Sequence, residues 1–79
     1  MTTISLRLGG HLSFYAPEKQ SQLTLPLNQP AGLADILQGL GVPLGEVAIA
    51  SVNGSMVELA TAQVKPGDKI ELYPPMGGG

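Results

Sequence analysis

The chain has 79 residues, enough for one small domain, with 43% hydrophobic and 13% charged residues and a formal net charge of −2. A domain of this size buries only about 60% of the surface its unfolded chain exposes, which leaves little room for an enclosed active site. Arg7, Lys19, Lys65 and Lys69 are too scattered to bind nucleic acid or an anionic membrane, and the absence of cysteine removes disulfides, thiolate catalysis and cysteine metal sites.

From Thr3 to Leu8 the apolar Ile4, Leu6 and Leu8 alternate with Thr3, Ser5 and Arg7, the period of a half-buried strand. Met1 enters this pattern without the basic and apolar stretches of a signal peptide, so a cytoplasmic protein is expected. Gly9-Gly10 reads as a turn, His11 to Tyr15 as a returning extended segment, and Ala16 to Gln22 as a loop. Leu23, Leu25 and Leu27 resume the alternation, and Pro26, which cannot donate to a ladder, predicts an edge strand there. The period then changes. Leu33, Ile36, Leu37 and Leu40 fall at i, i+3, i+4 and i+7, predicting a helix that begins near Asn28 or Pro30. Gly41 is placed to end it in a left-handed conformation, and Pro43 prevents continuation.

Val47 to Val52 is nearly continuous in apolar and small residues and predicts a strand buried on both faces. Asn53-Gly54 signals a tight turn into a returning strand, Ser55 to Val57, and Pro66-Gly67 fits the centre of a type II turn. Ile70 and Leu72 alternate with Lys69, Glu71 and Tyr73 in a last strand. This order predicts an α+β fold, a mixed sheet of about four to five strands with one main helix across it. Leu33, Ile36, Leu37 and Leu40 are expected to pack on Ile4, Leu6, Val47, Ile49 and Leu72.

No familiar catalytic constellation stands out. His11 is the single histidine and lacks partner ligands, whereas metal and acid–base sites need several converging groups. Glu18, Asp35, Glu46, Glu58, Asp68 and Glu71 lie in different elements. Ser5, Ser13, Ser21, Ser51 and Ser55 lack a nucleophile elbow, and Gly9-Gly10 opens no phosphate-binding helix. A self-contained enzyme is not expected. The chemistry is expected instead in Pro74-Pro75-Met76-Gly77-Gly78-Gly79. Paired prolines favour an extended backbone, and glycines let it lie flat in a narrow channel. At roughly 3.1–3.6 Å per residue this segment spans about 20 Å, enough to cross the rim of a partner's active site. The chain is therefore read as a body, residues 1–73, and a flexible tail, residues 74–79.

Val52-Asn53-Gly54, Lys65-Pro66-Gly67-Asp68, Glu71-Leu72-Tyr73-Pro74-Pro75 and the closing diglycine resemble the ubiquitin-like sulfur carriers. This is the MoaD/ThiS group, which includes the molybdopterin synthase small subunit and the thiamine-thiazole sulfur carrier. The resemblance covers essentially the whole chain and implies a β-grasp, ubiquitin-like fold. Tyr73-Pro74-Pro75 is more similar to the molybdopterin synthase subunit, while Met76-Gly77 and the stretch from Gly9 to Gln22 depart from the pattern. Gly41 to Gly54 also resembles ubiquitin-like domains attached to other proteins.

The resemblance implies that an adenylating enzyme, itself using ATP and Mg, activates the carboxylate of Gly79. A sulfur donor protein would then convert it to a thiocarboxylate, and a large synthase subunit would accept the sulfur in molybdopterin or tungstopterin synthesis. The chain itself is expected to bind no cofactor or metal. Gly79 would be the acyl site, Gly78 would thread the channel and Gly77 would add reach. Tyr73 and Met56, with Pro74, Pro75, Met76 and Gly77, would meet the partners, and Leu6 or Leu8 would contribute. Asp35, Glu58, Asp68 and Glu71 would face basic partner surfaces. The same tail also suits a thiazole or other metabolite sulfur carrier, a protein modifier joined to lysine amines, or an interaction module with an inert end.

Overall fold

The opening alternation forms β1 (Thr3–Leu8), which buries Ile4, Leu6 and Leu8 and turns Ser5 and Arg7 to solvent. The computed structural model describes residues 2–75, so the expectations for Met76, Gly77, Gly78 and Gly79 lie outside the described residues. After β1 the chain does not return as an extended segment. Gly10–Tyr15 is a 3-10 helix, followed by a second short one at Pro17–Lys19. Leu12 within the first of these turns and Ala16 just beyond it, in extended conformation, are both buried in the core.

The chain comes back as β2 (Gln22–Pro26), antiparallel to β1 and at the sheet edge that Pro26 requires. A short β3 (Ala31–Gly32) precedes α1 (Leu33–Leu40), so the helix starts later than the sequence suggested. Its entry is extended because Ala31 and Gly32 pair with β6 (Gln63–Val64), and the Leu33 N–H bonds to the Ala62 carbonyl at 3.0 Å. The helix ends as expected, at Gly41 with φ 91°.

After a 3-10 turn at Leu44–Glu46 come β4 (Ile49–Val52) and β5 (Ser55–Val57). Asn53 and Gly54 join them with φ of 54° and 86°, the paired positive values of a type I′ hairpin. The Pro66-Gly67 turn, with Gly67 at φ 95°, leads into β7 (Lys69–Tyr73).

The main sheet has five strands in the order β2-β1-β7-β4-β5. β1 and β7 run parallel at its centre, and the other neighbouring pairs are antiparallel. With one main helix across it, this is the ubiquitin-like β-grasp. Leu33 and Leu37 of α1 pack against Ile4, Leu6, Leu8, Ile70 and Leu72, while Ile36, Leu40 and Val47 lie at the margin of that core. Ile49 does not belong to it. The register sets Ala50 opposite Leu72 and Val52 opposite Ile70, both core-facing, so Ile49 must point to the other face. β4 is correspondingly buried at Ala50 and Ser51 and not along its length.

Candidate functional site

The phase of β7 decides what the sheet presents to solvent. Ile70 and Leu72 point at α1, which turns Lys69, Glu71 and Tyr73 to the outer face. Tyr73 is the last residue of the sheet and is held from both sides. Its carbonyl accepts the Ala48 N–H at 2.8 Å, and the carbonyl of the preceding Leu72 accepts the Gly9 N–H at 2.8 Å. The Tyr73 side chain retains 38% of its exposure. Pro74, half-buried, and the exposed Pro75 follow directly.

Met56 occupies edge strand β5 opposite Ser51, which in turn is opposite Glu71, so Met56 lies on the same outer face and is 76% exposed. Ile49 sits directly opposite Tyr73. It is diagonal to Met56 across the β4–β5 ladder, a separation of about 7–8 Å within reach of long side chains. The structure therefore brings Tyr73 and Met56 to one face, as the sequence suggested, and adds Ile49 between them. Ile49 was missed because a run without alternation carries no phase; only the pairing with β7 supplies it.

Leu6 and Leu8, considered as partner contacts, are 1% and 2% exposed and belong to the core. Among the candidate acidic contacts, Asp35 and Glu58 are exposed and Glu71 is half-buried, but Asp68 is inside. Its carboxylate accepts the Lys65 backbone N–H at 2.9 Å, the Asn53 side-chain amide at 3.0 Å and the Lys65 ammonium at 3.1 Å. Asn53 also accepts the Lys69 N–H through Oδ1, tying the two turns together. Burial pushes the Asp68 carboxyl up, but these hydrogen bonds and the Lys65 charge outweigh it and hold it below its ordinary value. Asp68 thus fixes the loops and offers nothing to a partner.

His11 is surface-exposed and pairs with Glu46 at 2.9 Å, joining the first 3-10 helix to the turn before β4. Among the described residues there is no group of three or more His, Cys, Asp or Glu able to hold a metal. A depression of about 670 Å³ lies on the outer face around Arg7, Gln22, Thr24, Lys69 and Glu71, and is lined also by Asn53 and Gly54 at the far end of β7 from Tyr73. It brings no acid–base pair or nucleophile into hydrogen-bond reach of one another. No helix among the described residues is long and apolar enough to cross a membrane.

A family model described as Mut7-C ubiquitin matches residues 1–77. No curated protein sequence matches the chain significantly. Among solved structures, a chain in the complex of subunits 1 and 2 of the molybdopterin-converting factor from Helicobacter pylori 26695 is 28% identical. The match covers 98% of this chain and 99% of that one, with a TM-score of 0.63. The small archaeal modifier protein 1 of H. volcanii matches 96% of this chain and 100% of its own, at 19% identity and TM-score 0.70. Urm1 from Trypanosoma brucei matches 99% and 96%, at 19% identity and TM-score 0.70. The last two likenesses establish the fold alone.

Proposed function

Since the chain belongs to the Mut7-C ubiquitin family, we propose that it is a sulfur carrier whose reacting group is the carboxylate of Gly79. The observation that carries this reading is the combination of 28% identity over 98% of the chain to a protein of the molybdopterin-converting factor complex with the ending Tyr73-Pro74-Pro75-Met76-Gly77-Gly78-Gly79. The acceptor favoured by that match is the large subunit of a synthase making a molybdenum- or tungsten-binding pterin.

A carboxylate resists nucleophiles because its charge repels them and oxide leaves poorly. An adenylating enzyme with ATP and Mg would join the Gly79 carboxylate to AMP and expel pyrophosphate. Sulfide-level sulfur, released by the donor as hydrosulfide, would then attack the carbonyl carbon, and the bond to AMP would break with its electron pair leaving on AMP, so that a thiocarboxylate remains at the terminus with no change of oxidation state. The body would act in recognition. Tyr73 anchors an apolar patch with Ile49 and Met56, and rigid aromatic anchors of this kind are enriched at binding centres. Met56 is adaptable enough to serve more than one partner in turn. Pro74 and Pro75 would hold the glycines away from the body, and Gly77 and Gly78 would pass where a side chain would clash.

The test begins with the intact mass of the protein from its own cells, which establishes whether the polypeptide ends at Gly79. ATP–pyrophosphate exchange with a cognate adenylating enzyme follows, together with mass analysis for replacement of one terminal oxygen by sulfur. Deleting Gly79 withdraws the carboxylate by about 3.5 Å, and Gly78→Val widens the tail at its narrowest point. Misplacement of about 1 Å already costs on the order of a hundredfold, so both changes should nearly abolish exchange. Tyr73→Glu should weaken binding to the enzyme while leaving the fold intact, and His11→Ala should behave as wild type. Normal exchange and sulfur loading after deletion of Gly79 would refute the carrier reading. High-mass conjugates with target proteins would replace it with protein modification.

A further inference from the structure

We infer that Gly9 and Gly10 are positioning residues, forming a side-chain-free cradle on which the rings of Tyr73 and Pro74 lie and which fixes the direction in which the backbone leaves the sheet. The geometry stands on its own, while its use in aiming Gly79 rests on the carrier reading. Parallel pairing sets Leu8 opposite Leu72 and brings the next residue, Gly9, alongside Tyr73, locked by the bond from the Gly9 N–H to the Leu72 carbonyl.

A Cβ at Gly9 would stand 2.8 Å from Cδ1 of Tyr73 and 3.2 Å from the Leu72 carbonyl oxygen. The backbone of Gly9, at φ −81° and ψ 157°, is open to any residue. Glycine is therefore needed there for space and not for conformation. A Cβ at Gly10 would lie 2.8 Å from Cγ of Pro74 and 3.4 Å from its Cδ. The proline ring is covalently closed onto its own backbone nitrogen and cannot rotate aside, so the backbone at residue 74 would have to move. Gly10 also adopts φ +53°. By contrast, a Cβ at Gly39, Gly45 or Gly54 meets nothing within 4 Å. At Gly32 a Cβ would stand 3.3 Å from a carboxylate oxygen of Asp35, so among these glycines approaches under 3.0 Å are confined to Gly9 and Gly10, at the exit of β7. With Ala48 gripping the Tyr73 carbonyl on the other side, the strand end is held at both edges and bedded from β1.

The two glycines act through different rings, which gives the test its discrimination. Asparagine tolerates positive φ better than most side-chain-bearing residues, so Gly10→Asn adds the obstructing Cβ with less backbone strain than alanine would. Exchange kinetics with a cognate adenylating enzyme should show kcat lowered tenfold or more with KM within twofold, because the tail is misdirected while the patch is intact. Adding Pro74→Ala to the same chain should recover part of the loss. Gly9→Ala, which displaces the Tyr73 ring, should raise KM instead.

An activity-independent measurement accompanies these. The chain has no cysteine, so a nitroxide on Thr24→Cys, on the outer face of β2, is unique. Its broadening of the amides of Met76 to Gly79 should differ between the parent and Gly10→Asn. Wild-type kinetics in both variants, or an unchanged broadening pattern, would overturn the inference. Unfolding of both variants would overturn it equally, showing a purely structural need for glycine; if Gly10→Asn alone unfolds, Gly9→Ala decides. If the parent protein is not adenylated at all, the carrier reading fails, and the broadening pattern alone decides whether the glycines set the exit.

Discussion

The carboxylate of Asp68 joins two turns that lie apart in sequence: through Asn53 it reaches the β4–β5 hairpin, and through Lys65 it closes the turn into β7. Replacing it with alanine would leave the Lys65 N–H and the Asn53 amide without their acceptor in a part-buried site. The expected cost is about 2–3 kcal/mol, read as a lower denaturation midpoint. Because the folded carboxyl is held below its ordinary 3.8, the ionised form binds its partners more strongly than the protonated form. This contribution is present above pH 3.8 and is lost as pH falls through the lower folded value. A parent and an Asp68→Asn variant whose stability falls identically with acid would contradict that assignment. In the sequence, Asn53 is legible as a turn residue, whereas Asp68 reads as one of the acidic contacts facing a partner. Their bond to each other is not legible, because it depends on the register of β4 against β7.

At the scale of elements, α1 and β4 show what periodicity conveys and what it leaves out. The helix carries a single apolar stripe, and both residues at its centre line, Leu33 and Leu37, are fully buried. Leu37→Ala should cost about 2–5 kcal/mol, with a smaller loss for the half-buried Ile36. Ile49→Ala should cost about 1 kcal/mol or less, mainly its cross-strand contact with Tyr73, because its side chain lies on the outer face of β4 and not in the core. Thermal or urea midpoints check all three, and a large loss at Ile49 would return it to the core. β1, β2 and β7 were readable for the same reason as α1: each alternates or repeats with one clear phase. The β3–β6 pair was not, since two residues are too few to show a period. The Gly10–Tyr15 turn was also hidden, because Leu12 is the one residue it buries.

For the molecule as a whole, the proposed recognition face was half legible. Tyr73 declared its side through the alternation of β7 and Met56 through the family motif, whereas Ile49 and the Gly9-Gly10 cradle emerge only when distant strands are brought together. The expectations for Met76 to Gly79 rest on chemistry alone. Chain order has its own consequence, because β7 lies between β1 and β4 in the middle of the sheet. A chain truncated after Asp68 should lose cooperative unfolding altogether, and circular dichroism showing a sharp transition would disprove this. The parallel pairing of β1 with β7 also determines how the body responds to mechanical load. A partner or unfolding motor that pulls on the residues after Tyr73 while holding the other end of the chain strains the β1–β7 hydrogen bonds along the strand axis, so they share the force and must fail together. Pulling on an edge strand such as β5 would open its bonds one after another. The protein is therefore expected to be mechanically stiff along the line on which its tail would be drawn into a partner, and weak at right angles to it.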